Sequence, residues 1–202
     1  MPVLPITTVA EAHRGSAEPN NTAPLWKRWN NYGIAALQEE NLALAGEAFR
    51  RVTDLADRKD GLTNQARVYL REGELSQAEA LLHKASEQYG MDPQLSYFLG
   101  RASFAQGEYA EAIAYWDAVL EQYPTDRTLL TELGEVTYLL GDYERSGDFL
   151  QRALRINPEH PGTLYHALLQ AAAAGDAAAA ERYRERYEYH RSLEEEAATV
   201  AA

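Results

Sequence analysis

Residues 99–124 read LGRASFAQGEYAEAIAYWDAVLEQYP, and residues 133–158 read LGEVTYLLGDYERSGDFLQRALRINP. Laid over one another, the two stretches share an opening Leu-Gly and a central Gly-Glu-Tyr against Gly-Asp-Tyr. A small residue follows (Ala112, Ser146), then a bulky one (Trp116, Leu150) and a final proline (Pro124, Pro158). Each matched pair is 34 residues apart, and the same clock runs outward in both directions. The glycines Gly73, Gly107, Gly141 and Gly175 keep it, in the phrases REGEL, AQGEY, LLGDY and AAGDA. Small residues keep it at Ala45, Ala78, Ala112, Ser146 and Ala180, the first interval being 33 and the rest 34. Bulky residues keep it at Phe49, Leu82, Trp116 and Leu150, and the series fails at Arg184. A fixed period of this length marks a chain of units, each burying its apolar face against the next copy.

The pattern resembles the tetratricopeptide repeat family, whose unit is a pair of antiparallel helices. The likeness covers about residues 26–194. The first repeat keeps Trp29, Gly33, Ala45 and Phe49 but has Glu40-Asn41 at the turn; the second has Ala66 in place of the first glycine and lacks the closing proline. The resemblance implies an all-α, right-handed superhelical solenoid of about five repeats, roughly 26–58, 59–92, 93–126, 127–160 and 161–194. It predicts ten helices, about 25–38, 42–57, 60–72, 75–89, 93–106, 109–122, 126–140, 143–156, 161–174 and 176–197, within a domain over 25–197.

Each signature residue has a physical role. Gly33, Ala66, Gly100 and Gly134 on the first helices, and Ala45, Ala78 and Ala112 on the second, permit close approach. Phe49, Leu82, Trp116 and Leu150 fill the space between units, each buried side chain contributing roughly 1.5–3 kcal/mol. The turn glycines supply left-handed backbone. Asp92-Pro93 reads as a cap followed by proline at the first helical position, and Pro124 and Pro158 stop second helices.

Composition narrows the function. With 31 acidic and 19 basic residues the formal charge is −12, which disfavours nonspecific nucleic-acid binding. No run of 18 apolar residues predicts membrane insertion, and residues 1–24 lack the basic start and apolar core of a signal peptide. Cysteine is absent, so no disulfide, zinc-thiolate site or covalent haem attachment is expected. Pro2, Pro5, Pro19 and Pro24 forbid a long helix in residues 1–24, which read as a tether with an extended segment over Val3 to Val9. Asn20-Asn21-Thr22 fits a glycosylation acceptor pattern. From Asp176 the chain reads as a polar capping helix, with Glu181, Arg182, Arg184, Glu185, Arg186, Glu188 and Arg191 facing solvent and Tyr183 and Tyr187 packing inward.

A second resemblance rests on the flanks. LPITTVAEAH (4–13), LWKRWNNYGIAALQEENLALAGEAFRRV (25–52) and RERYEYHRSLEEEA (184–197) look like the repeat portion appended to some bacterial multihaem c-type cytochromes. It implies a periplasmic setting and a cytochrome partner or fused haem domain. Taken without that likeness, the sequence as given reads as cytoplasmic, and the compartment stays open.

No catalytic constellation stands out. His13, His83, His160, His166 and His190 are dispersed, and no metal-protease, phosphate-loop, nucleophile-elbow or dinucleotide motif occurs. His160 and His166 straddle Pro161-Gly162 and could meet across a helix start. No enzyme activity, cofactor or metal is expected, and function falls to a surface. The family resemblance implies that the first helices line a concave groove, in which repeat positions 5, 9 and 12 form ladders. Position 5 carries Asn30, Thr63, Tyr97, Thr131 and Tyr165; position 9 carries Ile34, Arg67, Arg101, Glu135 and Leu169; position 12 carries Leu37, Leu70, Phe104, Tyr138 and Ala172. Arg67, Arg71 and Arg101 concentrate basic charge beside Tyr97, Phe104, Tyr138 and Tyr165, and arginine and aromatic side chains are the usual anchors of binding. The expected partner-binding set is Asn30, Asn64, Arg67, Arg71, Tyr97, Arg101, Phe104, Glu135, Tyr138 and Tyr165. In the competing reading the aromatics complete the core and the arginines pair with Glu72, Glu132 or Glu135. The lysine of the chaperone-type carboxylate clamp is missing, so heat-shock chaperone binding is not expected. Two functions remain open: a noncatalytic scaffold that binds a protein or peptide segment in its groove, and a structural or docking domain of an electron-transfer assembly.

Overall fold

The computed structural model describes residues 23–201, without the side chains of 194 and 196 onward. The expected tether, apart from its last two residues, and the Asn20-Asn21-Thr22 pattern therefore lie outside the described residues. Every regular element among the described residues is an α-helix: α1 Leu25–Gln38, α2 Leu42–Leu55, α3 Lys59–Glu72, α4 Leu75–Tyr89, α5 Pro93–Gln106, α6 Tyr109–Gln122, α7 Arg127–Leu139, α8 Tyr143–Ile156, α9 Pro161–Ala173 and α10 Ala177–Ala201. Backbone contacts cluster into two compact units, one ending at Phe98 and the other beginning at Leu99.

The first helix of every pair ends in the same hydrogen-bonded turn. The amide N–H of Glu74 donates to the Tyr69 carbonyl at 2.9 Å, Glu108 to Ser103 at 2.8 Å, Asp142 to Thr137 at 2.9 Å and Asp176 to Ala171 at 2.9 Å. This bond requires left-handed backbone at the residue before the donor, and Gly73, Gly107, Gly141 and Gly175 have φ of 78°, 82°, 79° and 80°. In the first pair Asn41 donates to Ala36 at 2.8 Å, and Glu40 takes the glycine's place at φ 59°. A substituted turn has thus kept its geometry at the expense of a Cβ in left-handed space.

Three first helices are capped from one repeat position. Asp92 accepts from the amide of Leu95 at 2.9 Å, Asp126 from Leu129 at 3.0 Å, and His160 Nδ1 from Thr163 at 3.1 Å. Burial pushes the Asp92 carboxyl up, but hydrogen bonds from Lys59 and from the Leu95 and Gln94 amides, with the Lys59 charge, hold it below the ordinary carboxylate range.

The core follows the small-large pairing of the sequence. A Cβ on Gly33 would lie 2.6 Å from the Phe49 ring, on Gly100 2.4 Å from Trp116 Nε1, and on Gly134 2.5 Å from Leu150 Cγ. These contacts bring the two helices of a pair together, with Phe49, Leu82, Trp116 and Leu150 buried between them. Ser146 sits where other repeats have alanine, and its buried hydroxyl donates to the Gly134 carbonyl at 2.7 Å.

The structure corrects the sequence reading in three places. Helix α2 stops at Leu55 rather than continuing to 57, because Ala56 is extended and Asp57 accepts hydrogen bonds from Gln88 at 2.9 Å and from the Tyr89 hydroxyl. Helix α10 runs on to Ala201. Arg186, expected in solvent, folds back along α10 to donate to the Pro158 carbonyl and to Glu159 at 2.9 Å. Arg152 does the same one repeat earlier, donating to Pro124 at 3.3 Å. Tyr183 and Tyr187 pack against Leu150, Leu154, Leu164 and Ala167 as expected.

Candidate functional site

The side chains exposed along the first helices are organised by one recurrent contact, in which repeat position 9 meets position 6 of the following repeat. Within the first unit Arg67 lies over the Phe98 ring, 5.4 Å from its centroid. Within the second, Arg101 Nε approaches Glu132 Oε1 at 3.8 Å and Glu135 Oε2 approaches His166 Nε2 at 3.6 Å. Each of these pairs is 31 residues apart, the spacing that sets one first helix beside the next.

In the first unit a polar chain fixes the arginine. Asn64, only 5% exposed, donates through Nδ2 to Asn30 Oδ1 at 2.7 Å and accepts at Oδ1 from Arg67 Nη1 at 2.8 Å. A buried amide with both ends engaged holds the guanidinium in one orientation, its face on Phe98, while the chain remains half-exposed. Tyr97 meets Phe98 edge-on at 5.2 Å. Arg71 is exposed and lies 3.9 Å from Glu40, a separation at which an exposed ion pair contributes little.

In the second unit the expected residues divide. Phe104 tilts against Tyr109 at 5.6 Å and Trp116 at 5.8 Å, and Tyr138 against Tyr143 at 5.7 Å, so both rings close their own helix pairs. Tyr165 is exposed, with its ring 5.5 Å from Tyr187. The arginine pairing weighed from sequence is met at Arg101–Glu132; Arg71 meets Glu40 rather than Glu72. The sequence reading passed over Phe98, Glu132 and His166 as a set. They continue the column of Asn64 at repeat position 6, a signal the 34-residue clock already contained.

His160 and His166 do not meet: the first caps α9 and the second faces Glu135. Among the described residues no group of His, Asp or Glu is arranged to hold a metal ion, and no helix is long and apolar enough to cross a membrane. A cleft of about 380 Å³ in the first unit is lined by residues that include Leu55, Asp57, Leu62, Lys84 and Tyr89. Its Tyr89 hydroxyl is pushed up by the hydrogen bond to Asp57, by burial and by the Asp57 charge.

Helix pairs of this period, with these turns and this packing, have the fold of tetratricopeptide repeats. The tetratricopeptide repeat family matches residues 63–127 and again 105–161. No curated protein matches the chain. Solved structures with the same fold include MamA from Desulfovibrio magneticus, 19% identical with a TM-score of 0.69, covering 83% of this chain and 96% of that one. PilF from Pseudomonas aeruginosa is 18% identical with a TM-score of 0.72, covering 81% of this chain and 75% of that one. A tetratricopeptide repeat protein from Parabacteroides merdae is 15% identical with a TM-score of 0.65, covering 83% and 67%. At these identities the likeness concerns the fold alone.

Proposed function

We propose that the chain is a noncatalytic scaffold that takes up a protein or peptide segment along its first helices, in the groove expected of this family. The observation that carries the reading is the Asn30–Asn64–Arg67 chain over Phe98. A guanidinium already held in orientation loses little freedom when it binds, and its planar fork suits a carboxylate. Arg67 is the anchor in the first unit, with Tyr97 and Phe98 giving apolar contact beside it. Within the second unit the corresponding candidates are Arg101, Glu135 and Tyr165.

The test is calorimetric titration of a partner recovered from the native host. Replacing Arg67 and Arg101 together by Ala is expected to weaken binding by on the order of 2 kcal/mol or more, with the far-ultraviolet circular dichroism unchanged and with added salt weakening wild-type binding. Unchanged affinity in the double variant would move the site to the opposite face or to residues 1–24. A c-type cytochrome bound equally by both proteins would favour the docking-domain alternative.

A further inference from the structure

Asp92, Asp126 and His160 occupy one repeat position and perform one task, but the third caps through a ring nitrogen rather than a carboxylate oxygen. Asp92 and Asp126 accept the amides of Leu95 and Leu129 through carboxylate oxygens. His160 accepts the Thr163 amide through Nδ1 at 3.1 Å, with the Thr163 hydroxyl at 3.0 Å. A ring nitrogen accepts only while it carries no proton. We infer that protonation of His160 releases the first turn of α9 and makes the last helix pair the acid-labile end of this chain.

The surroundings favour that release. An imidazolium at a helix N-terminus opposes the helix dipole. Burial, then the charge of Arg127 from α7, hold His160 below the ordinary histidine value. Glu159, next in sequence, is engaged from α10 by Arg186 at 2.9 Å and His190 at 2.9 Å, and those hydrogen bonds, His190 first, hold its carboxyl below the ordinary range. The other described histidines face carboxylates: His83 lies 3.5 Å from Glu79 and His166 3.6 Å from Glu135, and protonation strengthens such pairs. A histidine lowered in the folded state binds its proton first in the unfolded chain. Its contribution is therefore present above about pH 6.5 and lost as pH falls through that value and the lower folded one. Opening the turn exposes Thr163 and Leu164, both fully buried. Leu164 packs with Leu150, Leu154, Tyr183 and Tyr187, so α10 loosens with α9. The inference does not depend on the proposed groove.

Amide hydrogen exchange on the full chain tests it, with the other two caps as internal controls. Between pH 7.5 and 5.5, after correction for intrinsic rates, protection at Thr163 is expected to fall about three- to tenfold, while Leu95 and Leu129 hold theirs. The variant His160→Asn, which caps without titrating, is expected to abolish the fall. Thr163 tracking Leu129 in the wild-type protein would overturn the inference, and so would an equal fall in the variant. Should the variant not fold, the wild-type comparison of the three amides decides alone.

Discussion

Trp116 is the most informative residue to perturb, because its indole is 1% exposed and rests on a glycine. Removing a side chain of this class takes about 150–250 Å² out of the core, which at ~25 cal/mol/Å² is about 4–6 kcal/mol. An alanine retains about 1 kcal/mol of that, so Trp116→Ala is expected to cost about 3–5 kcal/mol. The structure adds a sharper test through Gly100, where a Cβ would lie 2.4 Å from Trp116 Nε1 and 2.6 Å from Cδ1. In the wild-type background Gly100→Ala forces the indole aside and is expected to cost about 1–3 kcal/mol. In the Trp116→Ala background the obstruction is gone, and the same change is expected to stabilise by about 0.5–1 kcal/mol through the helix preference of alanine. Urea titrations followed by far-ultraviolet circular dichroism measure all four proteins. Fluorescence of the Trp116→Ala proteins then reports Trp26 and Trp29 alone, both in the first unit, and shows whether the two units unfold together. A cost below about 1 kcal/mol for Trp116→Ala, or no change of sign at Gly100 between backgrounds, would refute the packing described here.

Two further substitutions test local chemistry. Glu40 holds φ 59° at a turn where four repeats have glycine, and Glu40→Gly is expected to raise stability by about 0.5–1 kcal/mol; an unchanged or lower denaturation midpoint counts against strain at that residue. The buried Thr63 hydroxyl has no hydrogen-bond partner among the described residues, whereas Thr131, two repeats on, bonds both the Arg127 carbonyl at 2.9 Å and Thr163 at 2.9 Å. Thr63→Val is therefore expected to stabilise by about 1 kcal/mol, and a loss of that size in the same urea assay would mean that the hydroxyl is satisfied in solution.

The sequence by itself determined the period, the helix pairs and the contacts between small and large residues. Gly100 beneath Trp116, Gly134 beneath Leu150 and the left-handed turn glycines are constraints on the backbone. They leave one or two residue types at a position and recur at a fixed interval, so they are legible without coordinates. The helix start at Asp92 follows from local hydrogen bonding in the same way. What the tertiary structure decided is which long side chains meet. Positions 5, 9 and 12 were read as separate ladders, but a guanidinium or carboxylate reaches several ångströms sideways, and the observed partner of position 9 is position 6 of the next repeat. The same reach took Arg186 back to Pro158 and Glu159, and rotamer choice laid Phe104 and Tyr138 against Tyr109 and Tyr143. The backbone period fixes where each Cβ stands; the packing of neighbouring helices chooses where the rest of the side chain goes, and the candidate site consists of the ends of side chains.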